Sequence, residues 1–162
     1  MLGQFWLLVS ALSLILAGAG LTWMIVVVCR KSRFTRACRD FHRQRERLEA
    51  KFVQLGLMNT KSHLPRWTDC EFEDDVAYAR SRSTGELCAF VAVTIEMEGF
   101  DGGLPRGGDV VGHLRAATAV FRFNGQHWET DGKAIFNLSP TEAIHFYQRD
   151  LEIVGREVAG RS

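Results

Sequence analysis

A long stretch without charge constrains this chain more than any other feature. Residues 5–28, "FWLLVSALSLILAGAGLTWMIVVV", contain no charged side chain. As a helix rising ~1.5 Å per residue, such a stretch would span ~36 Å, more than the ~30 Å hydrocarbon core of a bilayer. Trp6 and Trp23 lie near its two ends, where indole rings favour the membrane interface. The stretch therefore predicts a transmembrane anchor over residues 1–29.

A cleaved signal peptide is the alternative for the same stretch. Ala17-Gly18-Ala19 resembles a small-residue cleavage site. However, the initial "MLGQ" has no Lys or Arg, and the apolar run continues for nine residues beyond Ala19. Both observations are atypical of a signal peptide, so an uncleaved anchor is favoured.

The charge of the chain is distributed unevenly. Residues 30–47 carry eight basic and two acidic side chains, whereas residues 48–162 carry twelve basic and seventeen acidic ones. The formal net charge of +1 thus conceals a basic collar, residues 30–47, and an acidic body. Because basic flanks stay in the cytoplasm, we predict a single-pass membrane protein with its N-terminus outside and its C-terminal domain cytoplasmic. An acidic body also argues against nucleic acid as a partner.

The predicted partner of the collar is the lipid bilayer. Simple anchoring explains the basic residues, and recognition of anionic lipid is the alternative, since charge attraction fades within ~8 Å of the surface. The membrane-proximal basic residues are Arg30, Lys31, Arg33 and Arg36.

The collar leads into an amphipathic pattern that predicts a helix over residues 30–57. Arg45 interrupts its apolar row, and Gly56 is the predicted stop. Followed backwards, the row becomes a face of small residues that would permit a parallel homodimer, unless the helix only covers its own sheet. The apolar row is Phe34, Cys38, Phe41, Leu48, Phe52 and Leu55, and the small-residue face is Ser10, Ser13, Ala17 and Gly20.

Residues 58–155 are predicted to form a sheet domain with a closing helix. Asn124-Gly125 is the strongest hairpin signal, and Asp131-Gly132 is a candidate kink in the returning strand. Four alternating or apolar runs predict an antiparallel meander. These runs are residues 76–82, 87–97, 110–123 and 126–138.

The closing helix has a clear start. Ser139, Pro140 and Glu142 form a capping box with proline at the first helical position, and an apolar stripe continues to Val154. Residues 156–162 are predicted to be a flexible tail. The prediction is an α+β fold, with a long helix on a four-stranded antiparallel meander and a C-terminal helix. This element order is similar to that of cystatin-like and NTF2-like domains, which share no motif with the chain and serve several functions.

Residues that could take part in catalysis or bind a metal form no recognisable motif. The four cysteines lack a CxxC pair and the five histidines lack ligand spacing, so no metal and no cofactor is predicted. The acidic segment 69–75 favours a solvated loop over a cation site or pairing with the Arg face of the collar. The Gly-rich segment 99–109 lacks phosphate-binding order and indicates a hairpin loop with a contact surface. Neither segment has an assigned role.

Function follows only coarsely from these patterns. We expect a membrane-anchored protein whose cytoplasmic α+β domain is a protein-interaction or self-assembly module, and the absence of a catalytic constellation favours this over an enzyme. The alternative is a small-molecule or enzymatic pocket in the concave face of the sheet. Its candidate residues are Asp109, His113, His127 and Asp131.

Overall fold

The computed structural model describes residues 2–58, 66–98 and 113–158, with the side chains of residues 18–58, 66–98 and 114–158. These ranges contain two helices and six strands. They are α1 (Leu2–Met58), β1 (Arg66–Ser81), β2 (Leu87–Glu98), β3 (His113–Phe123), β4 (Trp128–Glu129), β5 (Ala134–Phe136), α2 (Pro140–Phe146) and β6 (Leu151–Glu157).

The chain divides into two units, Met1–His42 and Arg43–Ser162. The first consists of the N-terminal part of α1. The second begins with the last turns of α1 and contains every strand. The prediction of an α+β protein with one long helix and an antiparallel sheet is confirmed.

The membrane prediction is contradicted. Within the residues that the structure describes, no helix combines the length and the apolar content needed to cross a bilayer. The finding overturns the anchor over residues 1–29, the single-pass topology and the cytoplasmic placement derived from it.

The sheet is larger than predicted. Its order is β4-β3-β2-β1-β6, with β5 also pairing with β3, so it has six strands rather than four. The predicted returning strand, residues 126–138, is divided into β4 and β5, which pair with different parts of β3. Gly132 lies in the break with φ +72°, next to Leu55 of α1, so the predicted kink is a complete interruption of the strand.

The C-terminal helix begins as predicted but ends early. Ser139 and Glu142 form the capping box, and α2 then ends at Phe146. The prediction of a helix through Val154 is wrong, because Leu151–Glu157 pairs with β1 as β6. Ile153 and Val154 are β-branched and favour a strand, and the edge of β1 supplies a pairing partner, with Ile153 opposite Ala79.

Apolar residues cover both faces of the central strands. Phe52 of α1 is fully buried, with its ring centroid 5.6 Å from that of Trp67, 5.7 Å from that of Phe72 and 6.0 Å from that of Phe121. The opposite face packs against α2. Its buried residues are Ala77, Ala79, Cys88, Phe90, Val120, Ala143 and Ile144.

Substitution of Gly132 by alanine tests the close approach of α1 to the strand break. A Cβ at Gly132 would lie 2.7 Å from the Cβ of Leu55, whereas one at Gly85, which has the same φ of +72°, would meet nothing within 4 Å. We expect Gly85→Ala to lower the free energy of unfolding by ~1–2 kcal/mol through backbone strain. Gly132→Ala should lower it by a further ~1–3 kcal/mol through overlap. Equal losses in urea unfolding would contradict this packing.

Candidate functional site

Of the four predicted pocket residues, only His127 and Asp131 have described side chains, and these two lie in different surroundings. Asp109 lies outside the described residues, and His113 pairs through its backbone with Met97 at the start of β3. The ring of the exposed His127 lies within hydrogen-bonding distance of the Asn124 amide, with Nε2 3.1 Å from Nδ2. The carboxylate of Asp131 lies 3.2 Å from the guanidinium of Arg122. His127 and Asp131 thus interact with different neighbours.

A bulge in β1 forms the most distinctive polar feature of the body. Phe72 pairs with Val93 and Val76 pairs with Val91, so residues 73–75 of β1 stand opposite a single residue of β2. The acidic segment 69–75, predicted as a solvated loop, therefore lies within a strand and supplies an acidic bulge, residues 73–75. Bulges often occur beside functional sites because they redirect side chains.

Arg45 of α1 holds the acidic bulge in place. Its Nη2 donates to the carbonyl oxygen of Glu73 and its Nη1 to that of Asp74 at 3.2 Å. Its Nε donates to the Glu49 carboxylate at 2.6 Å, and the Arg45 side chain is only 15% exposed. The arginine that interrupts the apolar row therefore satisfies backbone carbonyls that the bulge removes from the ladder. This contact comes from the apolar row of α1 and not from the Arg face of the collar that was one alternative for the acidic segment, and the side chains of Asp69, Glu71, Glu73 and Asp74 remain exposed.

Beside the bulge lies a cavity of ≈400 Å³ on the α2 face of the sheet, here called the bulge cavity. Cavities of ~300–1,000 Å³ commonly accept small ligands. It exists because α2 has only seven residues and leaves part of the sheet uncovered, where the strands carry small side chains. The floor includes Ala77, Ala92, Thr94 and Ala116, a wall includes Leu138 and Pro140, and the charged residues are Glu73, Asp75, Glu142 and Arg156.

Most charged groups of the bulge cavity are negative. Arg156 places Nη2 3.7 Å from the Asp75 carboxylate. Glu142 accepts hydrogen bonds from the Ser139 hydroxyl at 2.7 Å and the Ser139 N–H at 2.9 Å, which lower the pKa of this carboxyl group. With all groups ionised, three carboxylates and one guanidinium leave an excess of two negative charges. The cavity thus combines an apolar floor with a negative mouth.

A smaller cavity of ≈240 Å³ contains Cys88. Burial, and then the nearby Glu86 carboxylate, raise the pKa of the Cys88 thiol to about 11. Burial and Asp69 likewise raise the pKa of Cys70 to about 11. Both thiols are therefore protonated at neutral pH, which is unfavourable for nucleophilic catalysis. Among the described residues there is also no group of three or more His, Cys, Asp or Glu side chains placed to hold a metal ion.

Helix α1 carries the largest run of exposed apolar side chains in the described residues. Within residues 21–28, here called the exposed apolar segment, seven of eight side chains are large and apolar, with exposed fractions from 47% to 73%. They are Leu21, Trp23, Met24, Ile25, Val26, Val27 and Val28.

Residues flanking this segment include those predicted for partner contact. A Cβ built on Gly20 would meet nothing within 4 Å, so this position leaves room for a close neighbour. The other three members of the small-residue face lie where side chains are not described: Ser10, Ser13 and Ala17. The four basic residues after the segment are all exposed: Arg30, Lys31, Arg33 and Arg36.

Comparison with known protein families, curated proteins and solved structures finds no match to this chain. The function is therefore argued from the geometry of the described residues.

Proposed function

We propose that this chain is a self-assembling interaction protein, in which the exposed apolar segment of α1 binds the same segment of other copies. The observation that carries the proposal is the row of seven large apolar side chains exposed within eight positions. The unit that begins at Arg43 acts as a scaffold carried by the assembly. The pKa values of the Cys70 and Cys88 thiols are raised, so both thiols stay protonated at neutral pH. This favours a binding role over nucleophilic catalysis.

The exposed apolar segment needs a partner for energetic reasons. Successive residues of a helix are ~100° apart, so eight consecutive positions surround the helix. A helix that is apolar on all sides is normally buried. Full burial of one large apolar side chain contributes ~1.5–3 kcal/mol, so burying even half of this surface offsets much of the ~4–15 kcal/mol cost of association.

A second copy is the partner that fits best. The segment of each copy has the same length and the same apolar circumference, so parallel copies cover one another without exposing an unmatched end. Gly18 and Gly20 lie immediately before it, and a Cβ on either would meet nothing within 4 Å. Small residues at such positions let helices approach closely. A bundle of several copies would cover more of each helix than a pair.

Substitution of Met24 by glutamate should dissociate the assembly. Met24 is 62% exposed in the segment, whereas Met58 is 73% exposed at the end of the same helix. Placing an ionised carboxylate in an apolar interface costs several kcal/mol, so Met24→Glu should raise the dissociation constant at least ~100-fold. Met58→Glu is the matched control and should leave it unchanged. The measurement is light scattering of the full-length chain, whose monomer is 18.3 kDa, over a concentration series.

Ionic strength tests the parallel arrangement in the same assay. Parallel copies place their collars side by side, so like charges oppose association. The Debye length falls from ~30 Å at 0.01 M salt to ~8 Å at 0.15 M, and association should therefore tighten as salt is added. A chain that stays monomeric throughout, or that dissociates equally in Met58→Glu, would overturn self-assembly through this segment.

A further inference from the structure

We propose that the bulge cavity binds a small organic cation with an amidinium, guanidinium or ammonium head on a compact apolar body. The proposal is independent of self-assembly, because every residue that lines the cavity lies in the unit Arg43–Ser162. It rests on the shape of the cavity, the sign of the charge at its mouth and the position of Arg156.

The floor of the cavity selects an apolar body. Ala77, Ala92 and Ala116 share one face of three adjacent strands, and Thr94 pairs with Ala116 on the same face. Their short side chains leave the ≈400 Å³ space, and Leu138 and Pro140 close one side of it. A flat ring or short aliphatic group would replace water over this surface, which is favourable because it buries apolar area.

The charge at the mouth selects a cation. Glu73 and Asp75 come from the acidic bulge, and Glu142 comes from the first turn of α2. Arg45, which does not itself line the cavity, donates to the backbone carbonyls of Glu73 and Asp74 and so holds the bulge in place. An anionic ligand would meet the excess of carboxylates, whereas a cation would offset it.

Arg156 shows how such a ligand can be held. It pairs with Ala77 across the β1–β6 ladder, so its side chain stands on the cavity face. Its guanidinium, on an aliphatic stem, reaches Asp75 at 3.7 Å, and its side chain is 59% exposed. The chain thus places a cationic head against this carboxylate at the mouth, through an exposed contact that a ligand can displace. A bound cation would compete with Arg156 for Asp75.

The test uses the full-length chain and two probes of the same shape, benzamidine and its neutral counterpart benzamide, titrated by ligand-observed NMR. Benzamidine should bind about five- to tenfold more tightly, because each partly exposed charge pair contributes only a few-fold in affinity. Equal affinity of the two probes, or no binding of either, would overturn the proposal.

Three variants locate the site, and a fourth serves as the control. Arg156→Gln removes the internal competitor and should tighten benzamidine binding about fivefold. Glu73→Gln should reduce the preference for benzamidine, and Ala116→Leu should abolish binding of both probes by filling the floor. Glu46→Gln, at an exposed carboxylate of α1 that does not line the cavity, should change nothing. Weaker binding in Arg156→Gln, or an equal effect of Glu46→Gln, would contradict the assignment.

Discussion

Substitution of Phe52 by alanine is expected to lower the free energy of unfolding by ~3–5 kcal/mol. Phe52 is fully buried at the junction of α1 and the sheet, where its ring lies against those of Trp67, Phe72 and Phe121. Truncation removes apolar contacts with all three rings. It also leaves a void that they fill only partly, because two are anchored on β1 and one on β3.

Phe146 provides the control for this prediction. Its side chain is 71% exposed at the end of α2, so Phe146→Ala should change the free energy of unfolding by less than ~1 kcal/mol. Phe52→Leu should lose only ~1–1.5 kcal/mol, because it retains most of the buried volume. Urea unfolding of the three variants measures these differences. A loss below ~1 kcal/mol in Phe52→Ala would mean that α1 does not pack on the sheet as described.

Sequence patterns correctly predicted the features that depend on interactions between residues close together in the chain. Phe52 was placed on a buried face by its three- and four-residue spacing, and it is fully buried. Ser139 and Glu142 indicated the start of α2, since a capping box involves only neighbouring residues. The Asn124-Gly125 turn was also correctly located between β3 and β4, although the loop has four residues. These features need no information from distant parts of the chain.

Features that depend on pairing between strands far apart in the sequence could not be predicted. Leu151–Glu157 becomes a strand because the edge of β1 is available, and the local apolar stripe instead favoured continuation of α2. The acidic bulge had the composition of a solvated loop, and only the register between β1 and β2 reveals it. The meeting of Arg156 with Asp75 follows from the same ladder, so the sequence contained no local sign of the bulge cavity. For residues 5–28, by contrast, a strong local signal was misleading. The apolar composition of this stretch led to the prediction of a membrane anchor, which the described residues do not support.

Arg45 was visible in the sequence as an interruption of the apolar row, and its substitution should destabilise the acidic bulge. Arg45→Met keeps much of the aliphatic stem but removes the donors to the Glu73 and Asp74 carbonyls and to Glu49. Glu73 and Asp74 are exposed, so water replaces part of the lost hydrogen bonding, and we expect a total loss of ~1–2 kcal/mol in urea unfolding. Arg47→Met, on an exposed position of the same helix, should cost less than ~0.5 kcal/mol.

Arg45→Lys separates the charge from the geometry of the hydrogen bonds. Lysine retains the positive charge near Glu49 but lacks the planar fork that reaches two adjacent carbonyls, so it should recover less than half of the loss. Because the bulge positions Glu73 and Asp75, Arg45→Met should also reduce the preference for benzamidine over benzamide, while Arg47→Met should preserve it. If Arg45→Lys were as stable as the wild type, long-range charge attraction would hold the bulge. The orientation of its carboxylates would then require another explanation.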